Sequence, residues 1–293
     1  MNLYRLNQVK IFKGTIGGLL VTILLVACNS PEPIVALEAL GYDGKTAIIM
    51  PNGKMSLKFN QRVTWNTSAG TALQNAQDSL VYTAPANAGV YQLTVKNERN
   101  VKDSLVINIV VSPRADVLKP LQKGGYALIF RHAAADVGVD QLSSTAAEWW
   151  KSCDSKLARQ LNDQGKKDAV AIGKAIKNLQ IPVGRVFGSE FCRCYTTADL
   201  MNFGLPTQQS KDLTYYVYDE PNRYANTMKL SSVQPIDAQN SVFVIHAGFS
   251  TVPSPAPLNS LAWGDAAVFK LGTGQTTTYV STVTLTEWRE LGK

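Results

Sequence analysis

The chain holds only two histidines in 293 residues, and each follows a short apolar run. Ala127-Leu128-Ile129-Phe130 leads into Arg131-His132, and Val242-Phe243-Val244-Ile245 leads into His246. Runs this short, rich in branched and aromatic side chains, read as strands covered on both faces, as in a parallel sheet. Ligands of open α/β sheets gather beyond the carboxyl ends of such strands. A third run, Val183-Gly184-Arg185-Val186-Phe187-Gly188-Ser189, hands over to Glu190-Phe191-Cys192-Arg193. Two histidines and two arginines are therefore expected on one rim. Arginine forks match phosphate oxygens, and an imidazole beside them serves as nucleophile or clamp. A single histidine after a strand is commonly structural; two in the same context point to a phosphate-handling site. A metal centre would have to recruit Cys153, Cys192 or Cys194 beside guanidinium groups that repel the ion. No metal and no cofactor is expected.

The N-terminus reads as an export signal covering residues 1–28. Arg5, Lys10 and Lys13 form a charged start, and Gly14 to Ala27 is apolar and uncharged. Leu25-Val26-Ala27-Cys28 resembles the bacterial lipobox, which implies lipidation of Cys28 and cleavage before it. The alternative is an uncleaved N-terminal anchor. Either way the remainder is expected outside the cytoplasm at a membrane, as a lipoprotein of the bacterial cell envelope facing periplasm or exterior. Losing Arg5, Lys10 and Lys13 lowers the formal net charge from +7 to +4. An excess so small and dispersed gives no reason to expect nucleic acid as a partner.

Residues 29–33 carry two prolines and read as a tether, and residues 34–112 are β throughout. Val63 to Asn66, Leu80 to Thr83, Tyr91 to Val95 and Leu105 to Val111 are strand-like, separated by turns such as Asn52-Gly53 and Ala69-Gly70. This spacing predicts a small all-β sandwich. Asn87-Ala88-Gly89-Val90-Tyr91-Gln92-Leu93 resembles the tyrosine corner of immunoglobulin-like domains, with Trp65 as the candidate core tryptophan. The segment assembles no acids, bases or ligands, and reads as a spacer or docking module, with carbohydrate binding as the alternative.

Ser112-Pro113-Arg114 marks a boundary, after which residues 114–293 alternate strand and helix, as α/β folds do. Asn162 is the expected N-cap of a helix running to about Leu179, with Ala169, Ile172, Ile176 and Leu179 facing the sheet. Gly165 and Gly173 in that helix suggest close packing. Thr197 to Phe203 reads as a helix, and Ala266 to Leu271 with Tyr279 to Leu285 as a hairpin. Beyond Cys28 three cysteines remain. Cys153 could pair with Cys192 or Cys194, tying the loop after the first histidine to the Arg193 loop, or all three could stay reduced.

Arg131-His132, then Ser189-Glu190-Phe191-Cys192-Arg193 with Thr197-Ala198, then His246-Ala247-Gly248, resembles the histidine phosphatase superfamily, which includes phosphoglycerate mutases and phosphohistidine phosphatases. Leu161-Asn162-x-x-Gly165-x-x-x-Ala169 resembles that family's helix between the first two motifs. The resemblance runs from about Tyr126 to the C-terminus. It implies a three-layer α/β sandwich with a mostly parallel sheet. It further implies His132 as nucleophile, with Arg131, Arg193, His246 and Ser189 around the phosphate. Ala133 stands where the family has glycine.

The expected activity is metal-independent hydrolysis of a phosphomonoester through a phosphohistidine. The substrate would be a phosphorylated small molecule or envelope component, and the sequence is silent on oligomeric state. The family's acid is not fixed by a motif. Asp219 and Glu220 stand where many members place it, Asp136 is a further candidate, and Asp265 reads as structural. Tyr215, Tyr216, Tyr218 and Tyr224 could stack on a sugar or simply pack. The competing reading is an inactive lipoprotein whose degenerate phosphatase fold binds phosphate or glycan.

Overall fold

The computed structural model describes residues 35–235, 237–247 and 257–293. The expected signal segment, the tether, Cys28 and Gly248 lie outside the described residues. Leu37–Lys293 forms one compact unit. No helix among the described residues is long and apolar enough to cross a membrane.

The chain first builds two four-stranded sheets. Strands β1 (Ala39–Leu40), β3 (Lys54–Phe59), β6 (Ser79–Thr83) and β5 (Thr71–Ala76) form one, in the order β1-β3-β6-β5. Strands β2 (Ala47–Ile49), β8 (Ser104–Val111), β7 (Gly89–Asn97) and β4 (Val63–Thr67) form the other, in the order β2-β8-β7-β4. Alternation puts Leu57, Phe59, Leu80 and Tyr82 of the first against Val63, Leu93, Val95, Ile107 and Ile109 of the second, a shared apolar core. The result is an all-β sandwich. Trp65 is only partly buried, its Nε1 donating to the Ala72 carbonyl at 3.2 Å, and Tyr82 fills the centre instead. Tyr91 donates its hydroxyl proton to the Asn87 carbonyl, four residues back, at 3.1 Å.

Helix α1 (Ala115–Leu121) leads into a six-stranded sheet. Its members are β9 (Tyr126–Arg131), β10 (Val183–Ser189), β11 (Gln208–Ser210), β12 (Asn240–Ile245), β13 (Ala266–Leu271) and β14 (Thr277–Val283), in the order β11-β10-β12-β9-β13-β14. The first four run parallel; β13 and β14 close the sheet as an antiparallel hairpin. Leu128, Phe130, Val242 and Val244 face helices α2 (Asp163–Asn178), α3 (Cys192–Leu200) and α6 (Leu285–Leu291). Ala127, Ile129, Phe243 and Ile245 face the other way, toward Leu213, Leu258 and Tyr224. Tyr224 belongs to α5 (Arg223–Ser231), which follows the single turn α4 (Tyr215–Tyr218). Both faces are covered, which is why these strands are apolar without alternation.

Asn162 caps α2 by accepting the Gly165 N–H at 2.7 Å, and Ala169, Ile172, Ile176 and Leu179 are buried as the periodicity requires. A methyl group on Gly165 would run into the Ala134 carbonyl, and one on Gly173 into that of Met201. The two glycines thus let α2 touch the loop after β9 and the end of α3. Two boundaries differ from expectation. Helix α3 starts at Cys192, five residues before Thr197, because the chain turns helical directly after β10. Leu285 begins a helix, not a strand end: Thr284 and Glu287 form a capping box that starts α6. A bidentate pair from Arg289 to the buried Asp168 (2.7 and 2.9 Å) then fixes α6 on α2.

The sandwich and the α/β part share a core. Ile48 and Val110 join Val117, Leu118, Leu121 and the α2 side chains in one buried cluster. Buried Gln122 donates to the carbonyls of Thr46 (2.9 Å) and Leu179 (2.8 Å), and Thr46 Oγ1 donates to the Asn178 carbonyl at 2.8 Å. Gln122→Ala leaves two buried carbonyls short of a donor, a loss of about 1–3 kcal/mol. Thermal denaturation should show a melting point lower by several degrees; an unchanged melting point would mean water replaces the amide without cost.

Candidate phosphate site

Strand register assembles the site. Ile245 on β12 pairs with Arg131 on β9, and Gly188 on β10 pairs with Val244. The residues that follow each strand therefore emerge side by side. His132 extends the ladder by donating its N–H to the Ile245 carbonyl at 3.0 Å. The two imidazole rings lie 5.4 Å apart at 67°, and both histidines are buried.

His132 Nδ1 lies 2.8 Å from the Ala133 carbonyl, which can only accept, so Nδ1 carries the proton and Nε2 keeps its lone pair. Burial, then the Arg193 charge, then Arg131 and Arg159, push the His132 pKa well below its ordinary value of 6.5. The ring is a neutral base with an open Nε2. Ala133 is fully buried without adopting a left-handed backbone, its N–H donating to Thr197 Oγ1 at 3.1 Å. Thr197 in turn donates to the Arg193 carbonyl at 2.7 Å, so this residue of α3 ties the loop after His132 to the turn carrying Arg193.

His246 is held from several sides. Its Nε2 lies 3.0 Å from Ser189 Oγ, and its carbonyl accepts the Tyr215 hydroxyl at 2.5 Å. Phe191 meets the ring edge-on at 4.9 Å. Burial and the Arg193 charge hold its pKa well below 6.5 as well. Ser189 thus sits behind His246 as its orienting partner. The Cys194 thiol lies 3.4 Å from Nε2; burial pushes its pKa up to about 12, so it stays a neutral filler.

Arg193, on the first turn of α3, is 1% exposed, with its guanidinium 4.3 Å above the Phe191 ring. A buried cation is costly unless paired. Its partner is Asp140, at 2.9 Å from Nη1. Asp140 also accepts the Arg159 N–H at 2.9 Å and lies 3.9 Å from the Arg159 guanidinium. Arg131 donates from Nη1 to the Leu261 carbonyl at 3.0 Å and sits over Trp263. The site is therefore rich in guanidinium charge around two neutral imidazoles, a setting for an oxyanion.

Asp140 and Arg159 were not legible in the sequence, because both lie in the loop between β9 and α2, where no motif fixes them. Among the described residues, Asp219 accepts from Asn222 and Asn226, and Glu220 pairs with Arg223 at 2.5 Å, so both bind the start of α5. Asp136 accepts from Asn162 at 2.9 Å. Asp265 holds a turn, accepting from Leu285 N at 2.8 Å. A disulfide joins Cys153 to Cys192, with Cα atoms 5.3 Å apart, and Cys194 is free. The loop carrying Asp140 is thus covalently tied to the residue before Arg193. No group of three His, Cys, Asp or Glu among the described residues could hold a metal ion.

No protein-family model matches the chain, and no curated protein is detectably similar in sequence. Among solved structures it is similar to the protein histidine phosphatase SixA complexed with tungstate, at 16% identity and a TM-score of 0.38, over 55% of this chain and 97% of that one. It is similar to the product of open reading frame Rv3214 of Mycobacterium tuberculosis, at 15% identity and 0.36, over 53% and 95%. It is also similar to the ecdysone phosphate phosphatase of Bombix mori in complex with tungstate, at 14% identity and 0.31, over 53% and 92%.

The depressed histidines have a consequence for stability. In the unfolded chain each imidazole takes up a proton near pH 6.5, whereas in the folded chain it does so only at lower pH. Stability contributed by the neutral rings is full above pH 6.5 and falls as the pH drops toward the folded values. Each ring adds a slope of up to about 1.4 kcal/mol per pH unit in that window. Urea unfolding between pH 5 and 7.5 should show this decline, and His132→Gln should flatten it; parallel curves would contradict neutral burial.

Proposed function

We propose that this chain is a metal-independent phosphomonoesterase of the histidine phosphatase kind, working through a phosphohistidine on His132. The observation that carries this reading is the fixed tautomer of His132, whose Nε2 lone pair is open beside the buried Arg193 guanidinium, with Arg131 and Arg159 adding positive charge nearby. The motif order Arg131-His132, Ser189 to Arg193 and His246 supports the same assignment.

Nε2 attacks phosphorus in line and the ester P–O bond breaks, while Arg131, Arg193 and His246 take up the charge on the equatorial oxygens. Asp140 is the better-placed acid than Asp219 or Glu220. A phosphate entering the pocket competes with it for the Arg193 fork, which leaves the Asp140 carboxyl beside the phosphoryl group. Protonated Asp140 gives its proton to the leaving oxygen, then takes one from the water that cleaves the phosphohistidine. That step releases phosphate and restores Nε2.

The site belongs, in this reading, to a protein held outside the cytoplasm by lipid on Cys28, with the β-sandwich as an immunoglobulin-like spacer. Mass spectrometry of the native N-terminus should find Cys28 lipidated as the first residue; an intact residue 1 with a bare Cys28 would refute the anchor.

Assayed with EDTA present, the chain should hydrolyse aryl and alkyl phosphates, and His132→Ala should abolish turnover. Arg193→Ala should cost on the order of a hundredfold or more, as removed transition-state donors do. Asp140→Asn should slow esters with poor leaving groups more than aryl phosphates, and acid-labile, base-stable phosphate should be trapped on His132. Undiminished activity in His132→Ala would sink the mechanism. An inactive wild type that still binds phosphate would favour the non-catalytic reading.

A further inference from the structure

Beside the phosphate pocket lies a second arrangement that the proposed chemistry does not use. Glu190 follows Ser189, the partner of His246, and precedes Phe191, which touches both His246 and Arg193. Glu190 is 7% exposed. One oxygen, Oε2, accepts from Trp150 Nε1 at 3.1 Å and from the Tyr218 hydroxyl at 2.8 Å. The other, Oε1, is ion-paired with Lys151 Nζ at 3.6 Å, beyond ordinary hydrogen-bond length. Trp150 and Tyr218 meet edge to face at 5.9 Å, and Tyr218 is 39% exposed. Of the other tyrosines in that segment, Tyr215 and Tyr224 are buried and pack in the core. The 3₁₀ turn bearing Trp149 and Trp150 is set against this loop by the Cys153–Cys192 disulfide and by Trp149 on Phe191.

We propose that Glu190, Trp150 and Tyr218 form the leaving-group subsite of the phosphatase, and that it takes a neutral, hydroxyl-bearing ring, as in a sugar phosphate. The inference rests on the phosphatase reading above. Glu190 Oε1, whose ion pair with Lys151 is 3.6 Å long, can still accept a hydrogen bond, and the adjoining Trp150–Tyr218 pair suits the apolar side of a ring. Lys151 already supplies the positive charge, so a substrate ammonium would be repelled. A second anionic group would meet the Glu190 carboxylate. A hydroxyl avoids both conflicts.

Three esters of primary alcohols test this, since they share leaving-group chemistry: glucose 6-phosphate, cyclohexylmethyl phosphate and ethyl phosphate. With the full chain, kcat/KM should be at least about a hundredfold higher for glucose 6-phosphate than for cyclohexylmethyl phosphate, as a site built around a hydroxyl demands. Glu190→Gln, which keeps the shape, should shrink that ratio at least tenfold. Tyr218→Ala, at a partly exposed position, should lower both ring esters relative to ethyl phosphate. Turnover of all three at equal kcat/KM, or an unchanged ratio in Glu190→Gln, overturns the subsite while leaving the phosphatase intact. No turnover of any of the three, nor of an aryl phosphate, overturns the phosphatase reading and the subsite with it.

Discussion

The buried charge of Arg193 is the constraint around which the site is organised. A guanidinium at 1% exposure is tolerated only with a close counter-charge, and Asp140 supplies it at 2.9 Å. That pairing draws in the loop after β9, and with it Arg159. The same positive charge, acting with burial, keeps both imidazoles neutral. His132 keeps its proton on Nδ1 and its Nε2 lone pair open, while the same guanidinium charges make the surroundings favourable to an anion. One electrostatic arrangement thus fixes both the state of the imidazoles and the charge of the pocket.

Holding that arrangement requires a rigid frame. The carboxyl ends of β9, β10 and β12 are fixed by a ladder covered on both faces, so the rim cannot slip in register without exposing a whole face of apolar residues. Helix α2 approaches the loop after His132 closely because Gly165 has no side chain to meet the Ala134 carbonyl. Thr197 bridges Arg193 and Ala133, and the Cys153–Cys192 disulfide closes the outer side. Covalent and hydrogen-bonded ties therefore converge on the two loops that carry His132 and Arg193.

The β-sandwich shares this frame. Ile48 and Val110 lie in the same buried cluster as α1 and α2, and Gln122 spans the junction with hydrogen bonds to both sides. A composition shift at Pro113 marks where the strand pattern changes, yet the boundary is a packed interface, because α1 presents apolar residues to both parts.

What the sequence determined by itself was whatever rests on local pattern. The apolar runs before His132, Ser189 and His246 specify strands, the Asn162 cap and its apolar spacing specify α2, and alternation specifies the sandwich strands. The capping box at Thr284 was equally local, though the apolar residues around it read as strand. Tertiary structure alone decided the rest. Asp140 stands eight residues past His132 and meets Arg193 across 53 positions, a pairing that no spacing rule encodes. The choice of Cys192 over Cys194 follows from where α3 begins: Cys192 opens the helix beside Cys153, while Cys194 is buried against His246. Asp219 and Glu220 share the residue type of an acid but are held at the start of α5. Proximity of charges depends on how loops close over the sheet, and that is set by packing between distant segments.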